Sequence, residues 1–283
     1  MNNLLDQIPM MPLAKWTNNA MDYITEHGQG FFDAIQENTE SMMLAVTDFL
    51  LMVPAIVFIL LVAVLAFFAT KKKLGLTIFA VLGLLFIYNQ GLWSDLMNTV
   101  TLVLFASLIS IIIGIPVGIC MSKSRVFESI MKPVLDFMQT MPGFVYLIPA
   151  VAFFGIGLVP GVFASIIFSI PPTIRFTNLG IQQVPKELIE ASESFGSTGP
   201  QKLFNVELPL AKSTIMAGVN QTVMLSLSMV VIASMIGAEG LGQKVLTAVQ
   251  RADVGPGFVA GLALVIFAIL IDRLTQSFNT KKG

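Results

Sequence analysis

The sequence predicts an all-α polytopic membrane protein. Three observations carry this. Hydrophobic residues make up 55% of the chain and charged residues 12%, against roughly 25% charged residues in an average soluble domain. Long runs carry no charge at all, and a helix needs roughly 20 apolar residues to cross a bilayer. A single Cys and a single His leave no disulfide framework, no Cys metal site and no Ser/His/Asp triad. The net charge of -1 supplies no basic field for phosphate, so nucleic acid is not an expected partner.

Residues 1–48 form the first region. Asp6, Asp22, Glu26, Asp33, Glu37, Glu40 and Asp48 stand there against Lys15 alone. Ile24, Phe31, Ile35, Met42, Val46 and Phe49 recur at helical spacing. The region is expected to be an acidic amphipathic helix lying on the outer membrane face. It has no basic stretch and small-residue cleavage site around an apolar core, so it does not read as a signal peptide.

Residues 49–95 supply two accessory spans, the uncharged runs Phe49–Thr70 and Leu74–Ser94. Residues 96–283 supply a core of five. These are Leu96–Ser122, two spans within the long stretch ending at Ile174, then Ser213–Ala238 and Val254–Ile271. The first of that middle pair starts near Ile130. The pair is separated by the Gly155-to-Gly161 stretch, which contains Pro160. The total is seven spans.

Positive charge sets the orientation. With Lys71, Lys72 and Lys73 in the cytoplasm, Lys123, Arg125, Lys132, Arg175, Lys186, Lys202, Lys212, Arg273, Lys281 and Lys282 also fall inside. Only Lys15, Lys244 and Arg251 fall outside, so 13 of the 16 Lys and Arg share one side. The N-terminus is expected outside and the C-terminus inside.

The pairs Gly114/Gly118, Gly157/Gly161 and Gly257/Gly261 permit close helix contact in lipid. Pro116 and Pro149 are expected to kink their spans, and Pro171-Pro172 to distort or end the fifth. Asp136, Arg175, Asp272 and Arg273 lie near cytoplasmic ends, which leaves no ionisable residue deep in a span. Proton- and ion-coupled transporters usually place such residues at mid-membrane, which weakens the alternative of a secondary transporter or channel. The stretch Gly237 to Lys244 is no Walker A loop, because Gln243 separates the second Gly from Lys244.

Between Asn178 and Lys212 the chain turns polar. Pro185 suits the first position of a short helix, Gly196 its C-cap, and Thr198-Gly199-Pro200 the start of a second helix that stops before Leu208-Pro209. Two short, well-punctuated helices held between spans suit a docking element better than a linker. Here the sequence resembles the permeases of ATP-binding-cassette importers. Glu190-Ala191-Ser192, three residues, Gly196, nine residues, then Val206-Glu207-Leu208-Pro209 is similar to their EAA motif, with Ser192 for Ala and Val206 for Ile. The stretch from Met235 to Gly242 and the ending from Ala268 to Gln276 resemble the glycine betaine/proline betaine subgroup. Glu239 stands where that subgroup has a small residue.

The resemblance implies a type I importer fold and a homodimer with the pathway between its copies. It implies a loop at 178–212 that docks on a separate ATPase dimer through Glu190, Ala191, Ser192, Gly196, Val206, Leu208 and Pro209. ATP and Mg would sit on that partner, with no cofactor on this chain, and an extracellular binding protein would deliver the compatible solute. A permease for another small solute, such as methionine or choline, is the alternative within the family; a membrane scaffold is a third class, against which the EAA spacing counts.

A quaternary ammonium group is gripped best by an aromatic cage. Two Trp and three Tyr favour placing that cage on the binding protein. The pathway itself is expected around Met141, Pro142 and Pro171, where prolines open helix backbones, and along Ser226 to Met235, including Ser228 and Ser234. Gly237, Gly240 and Gly242 are expected at its gate.

The charge partition gives a direct test of topology. A single cysteine replacing Gln7, in a Cys120→Ala background, is expected to react with a membrane-impermeant thiol reagent in intact cells. Labelling only after permeabilisation would invert the topology.

Overall fold

A computed structural model describes residues 11–69 and 74–279. The cluster Lys71–Lys73, the terminal Lys281 and Lys282 and the first ten residues lie outside that range. Among the described residues every regular element is helical: α1 (Leu13–Met52), α2 (Ala55–Ala69), α3 (Leu74–Asn89), α4 (Trp93–Lys123), α5 (Arg125–Thr140), α6 (Leu147–Phe154), α7 (Leu158–Gln182), α8 (Lys186–Ser194), α9 (Gly199–Lys202), α10 (Leu208–Ala233), α11 (Leu241–Gln250) and α12 (Val254–Asn279).

Among the described residues four helical stretches are long and apolar enough to cross a membrane: α4, α7, the run Gly199–Ile236 that contains α10, and α12. Two further stretches qualify only as bent pairs, α1 with α2 at 95° and α5 with the segment ending in α6 at 109°. Seven spans would also need α3, which at 16 residues is about 24 Å long.

Several boundaries depart from the sequence reading. The amphipathic helix does not end at Asp48 but runs to Met52, and breaks at Val53-Pro54 because a residue before proline avoids the helical region; Val53 has ψ 122. The same rule operates at Met141 (ψ 134), before Pro142. The expected straight span from Ile130 is therefore two pieces: amphipathic α5, then a short 3₁₀ turn (Gly143–Tyr146) leading into α6. The Leu74–Ser94 run divides at a turn with Gly91 at φ +70, and Trp93 and Ser94 already belong to α4. Pro149 falls in the first turn of α6, where no helical donor is lost. Of the Gly155-to-Gly161 stretch only Gly155–Gly157 breaks the chain, at φ +68 and +146, and α7 has begun by Leu158.

Pro171-Pro172 does not end the fifth span. α7 continues through both prolines to Gln182. Hydroxyls from the two flanking helices reach carbonyls of the adjoining turns: Ser110 of α4 donates to Ile166 O (3.3 Å) and Thr222 of α10 to Ser169 O (2.9 Å). These bonds reach the carbonyls on either side of those of Ile167 and Phe168, the two that lose a helical donor to the prolines.

α7 is the centre of the fold, with its most extensive contacts to α4 and α10. Lipid tails are as apolar as Leu, so helices in a bilayer associate by close packing and polar contacts rather than by hydrophobic exclusion. Both are present. A Cβ on Gly118 of α4 would lie 2.6 Å from Thr177 Cβ and 2.7 Å from the Ile174 carbonyl oxygen; on Gly114 it would lie 2.8 Å from Thr173. On the other side, a Cβ on Gly218 of α10 would lie 2.6 Å from Phe176 Cβ and 3.1 Å from the Pro172 carbonyl oxygen. Between them runs a buried hydroxyl ladder, Ser110 to Ser169 (3.0 Å), Ser226 to Ser169 (3.0 Å) and Thr173 with Thr222 (2.7 Å).

Around this core, α12 packs on α10, α11, α3 and α2, and α2 on α3. α1 lies against α4, α6 and α7. It is fixed by a buried Thr47–Thr101 hydrogen bond (2.8 Å) and by Phe32 stacked on Phe153 with ring centroids 4.7 Å apart. Gly261 has no atom within 4 Å of its notional Cβ, so of the three glycine pairs only Gly114/Gly118 has both members in tight helix packing.

Gly118→Leu is expected to destabilise the protein by about 1–3 kcal/mol through overpacking, read as a lowered Tm in detergent. Gly261→Leu, facing open space, should leave Tm unchanged.

Candidate functional site: a two-helix elbow and the outer loops

The loop singled out by spacing folds as an elbow. α8 begins at Lys186 with Pro185 as its N-cap, one position earlier than the sequence reading placed the proline. It ends at Ser194. Gly196 takes φ +80; its N–H donates to Glu193 O (2.9 Å) and the Ser197 N–H to Ser192 O (3.1 Å). This double closure needs a left-handed residue, which glycine adopts without a Cβ penalty. Thr198 then opens α9 with a capping box: its backbone N–H donates to Gln201 Oε1 (2.9 Å).

The second elbow helix does not stop before Leu208-Pro209. It passes through a π turn, Leu203–Glu207, and merges into α10; the Leu208 N–H bonds Leu203 O, five residues back. Proline clashes with the carbonyl four residues earlier in an α-helix. The wider turn moves the Asn205 carbonyl out of the way of Pro209, so the proline shapes the helix without ending it.

Charge and packing make the elbow rigid. Lys202 pairs with Glu193 across the bend, and that carboxylate holds the Lys202 ammonium above the ordinary lysine value. Leu203 and Leu208 pack on the cluster of Ile181, Ala211 and Ile215. The motif residues divide by face. Glu190, Ala191, Gly196 and Pro209 are exposed, while Ser192, Val206 and Leu208 are half-buried; Ser192 Oγ donates to Ile189 O at 2.8 Å. Two residues that spacing alone did not mark complete the exposed face: Phe195, 91% exposed, and Phe204, 66% exposed. Their signal in the sequence is two phenylalanines in an otherwise polar loop. Together they put an outward apolar surface on an otherwise polar elbow.

The expected pathway residues separate into two groups. Met141 and Gly143, at the α5–α6 bend, meet α10 at Met229 and Ile232; Met141 packs there with Tyr146, Leu147 and Ala150. Pro142 and Ser228 are exposed, and Ser228 bonds only the Met224 carbonyl of its own helix (3.0 Å). Pro171 and Ser234 are buried, Ser234 donating to Val231 O (2.6 Å). Ser226 and Thr222, from the same polar stripe, belong to the hydroxyl ladder.

The three glycines of the 237–242 loop hold two connections together. Gly237 (φ +93) ends the short 3₁₀ turn that follows α10, and the preceding Ile236 carbonyl accepts from the Gly157 N–H (2.8 Å). Gly240 and Gly242 are buried in close approach to Thr99 of α4 and to the Val230 carbonyl of α10. The Leu241 N–H donates to Thr99 Oγ1 (2.9 Å), and Lys244 lies 3.6 Å from Asp95.

A bundle of membrane-length helices carrying a rigid two-helix elbow at one end defines a multi-pass membrane component of a transport system. Residues 110–282 match the family of binding-protein-dependent transport system inner membrane components, and the chain belongs to that family. It is 58% identical over 279 residues to the glycine betaine/carnitine transport permease protein GbuB of Listeria monocytogenes serotype 1/2a (strain 10403S), covering 98% of this chain and 99% of that one. It is 48% identical to the glycine betaine transport system permease protein OpuAB of Bacillus subtilis (strain 168), at 98% of each. With the glycine betaine/proline betaine transport system permease protein ProW of Escherichia coli (strain K12) it shares 47% identity over 97% of this chain and 78% of that one. Among solved structures, an inward-facing MetNI methionine ABC transporter chain aligns with a TM-score of 0.59 at 20% identity, covering 64% of this chain and 91% of that one. An amino acid ABC transporter solved with histidines aligns at 0.56 and 19% identity, covering 68% and 94%. These likenesses establish a shared ABC permease fold.

Gly196→Val places a β-branched side chain at φ +80, a strain of about 1–3 kcal/mol. Membrane insertion is expected to be normal and solute uptake to fall at least tenfold. Normal uptake with normal ATPase co-purification would remove the elbow from any docking role.

Proposed function

We propose that two copies of this chain form the path by which glycine betaine, or a closely related trimethylammonium solute such as carnitine, enters the cell. The observation that carries this is the elbow between Pro185 and Pro209, with Phe195 and Phe204 outward, on a chain 58% identical along nearly its full length to a glycine betaine/carnitine permease. Each elbow docks on one subunit of an ATPase dimer. ATP and Mg bind there, and an extracellular binding protein presents the solute to the opposite face. α1 lies on that outer face, the bent pairs and α3 complete seven spans, and the N-terminus is outside. Accumulating a neutral zwitterion raises internal osmolarity without changing net charge, which suits osmoprotection.

Uptake runs along the face of α10 that bears Ser228, past the α5–α6 bend at Met141 and Pro142. Hydroxyls and thioethers offer a methylated zwitterion weak, short-lived contacts. Weak binding suits a path, because a tight site slows release.

The test is reconstitution of this chain with its ATPase and binding protein in liposomes. Glycine betaine is expected to stimulate ATP hydrolysis and to accumulate, with carnitine competing. Ser228→Trp is expected to block uptake while the ATPase still co-purifies. Stimulation by methionine but not by glycine betaine would reject the substrate assignment, and unchanged uptake by Ser228→Trp would reject the path along this face.

A further inference from the structure

Among the described residues Glu207 is the one charged side chain that is buried, with 3% of its surface exposed. It stands in the π turn where the elbow joins α10. Its carboxylate pairs with Lys123, in the last turn of α4, whose side chain is 41% exposed. A buried carboxylate is tolerated when it is paired and hydrogen-bonded, and an ammonium is favoured at a helix C-terminus by the helix dipole. The charge of Lys123 is therefore favoured twice, by its pair with Glu207 and by its place at the C-terminal end of α4.

The elbow has other ties, of different kinds. Lys202–Glu193 and the capping box bind its two halves to each other. The apolar cluster of Ile181, Ala211 and Ile215, with Leu203, Leu208, Ile115 and Ile119 packed on it, draws the elbow toward α4, but apolar contact is non-directional. A charge-assisted hydrogen bond is directional and short. Glu207–Lys123 thus gives the elbow a fixed point on α4.

α4 has a second set of contacts at its other end. Its first turns hold the α10–α11 loop, through the Leu241 N–H on Thr99 and through Lys244 beside Asp95. With 31 residues at 1.5 Å rise, α4 spans about 46 Å. One helix therefore touches the elbow at one end and the glycine-rich 237–242 loop at the other.

We propose that the Glu207–Lys123 pair is a positioning contact that passes displacement of the elbow to α4, and through α4 to the 237–242 loop across the membrane. The inference rests on the reading of the elbow as the ATPase-docking element. In this scheme the pair contributes neither to docking nor to solute binding; it sets how much elbow movement reaches the far side.

The test uses the full complex with ATPase and binding protein in liposomes, and reads glycine betaine uptake per ATP hydrolysed. Lys123→Gln with Glu207→Gln together removes both charges and leaves no unpaired carboxylate. This double variant is expected to co-purify with the ATPase in wild-type amount and to lose at least fivefold in uptake per ATP. Lys123→Arg, which keeps the pair, is expected to retain at least half of the wild-type ratio. Wild-type uptake per ATP in the double variant overturns the proposal. So does a double variant that no longer holds the ATPase, since the pair would then serve assembly, and so does a Lys123→Arg variant as defective as the neutral pair. Failure of the docking reading itself has a separate signature, a Gly196→Val chain with normal uptake and normal ATPase co-purification.

Discussion

At Gly118 the backbone of α4 comes so close to α7 that an added methyl group would lie 2.7 Å from the Ile174 carbonyl oxygen. At Gly218 the backbone of α10 approaches α7 from the other side, where an added methyl group would lie 2.6 Å from Phe176 Cβ. No solvent drives these helices together within a bilayer, so short approach and hydroxyl bonding hold the layer α4–α7–α10. The two features depend on each other. Ser110, Ser169, Thr173, Thr222 and Ser226 can bond across the helices only because glycine lets the backbones close in. The remaining helices, α12, α11, α1 and the α2–α3 pair, attach to this layer.

The elbow inherits its rigidity from the same layer. It leaves α7 at Gln182 and returns as α10, so both its ends belong to the most tightly packed pair in the molecule. An element with one tethered end could swing. This one has two fixed ends, an internal ion pair, and a buried charge seated on a third helix.

What could be read from the sequence follows the range of the physical rule involved. Pro185, Gly196 and Thr198 act within a turn of their own positions, so the start of each elbow helix and the end of the first were legible to within a residue, while the expected end of the second was not. The Gly114/Gly118 pair was legible because both members lie on one helix at a fixed spacing. Gly218 was not, since it matters only against a partner helix whose register no local pattern states. The π turn escaped for the same reason: Leu208-Pro209 is a stop signal on local grounds, and only packing of Leu203 and Leu208 on Ile181 and Ile215 makes continuing the helix favourable. The polar stripe of α10 was legible as a stripe. Its division into Ser226, which bonds α7, and Ser228, which does not, needed the neighbouring helices in place. The 95° and 109° bends rest on the pre-proline rule at Val53 and Met141, visible in the sequence, but the direction of each bend is tertiary.

The π turn also explains a count. Nine residues separate Gly196 from Val206, and five of the residues from Leu203 to Glu207 are wound wider than an α-helix. One residue in an α-helix is about 100° of rotation. Without the wide turn, everything after Glu207 would be rotated by roughly that angle relative to the elbow, and the hydroxyls at 222 and 226 would turn away from α7. The spacing of the motif is thus an azimuthal setting: it fixes which side of the long helix that follows the elbow faces inward. A chain one residue shorter in this stretch could keep its composition, its hydropathy and its number of helices, and still present the wrong face.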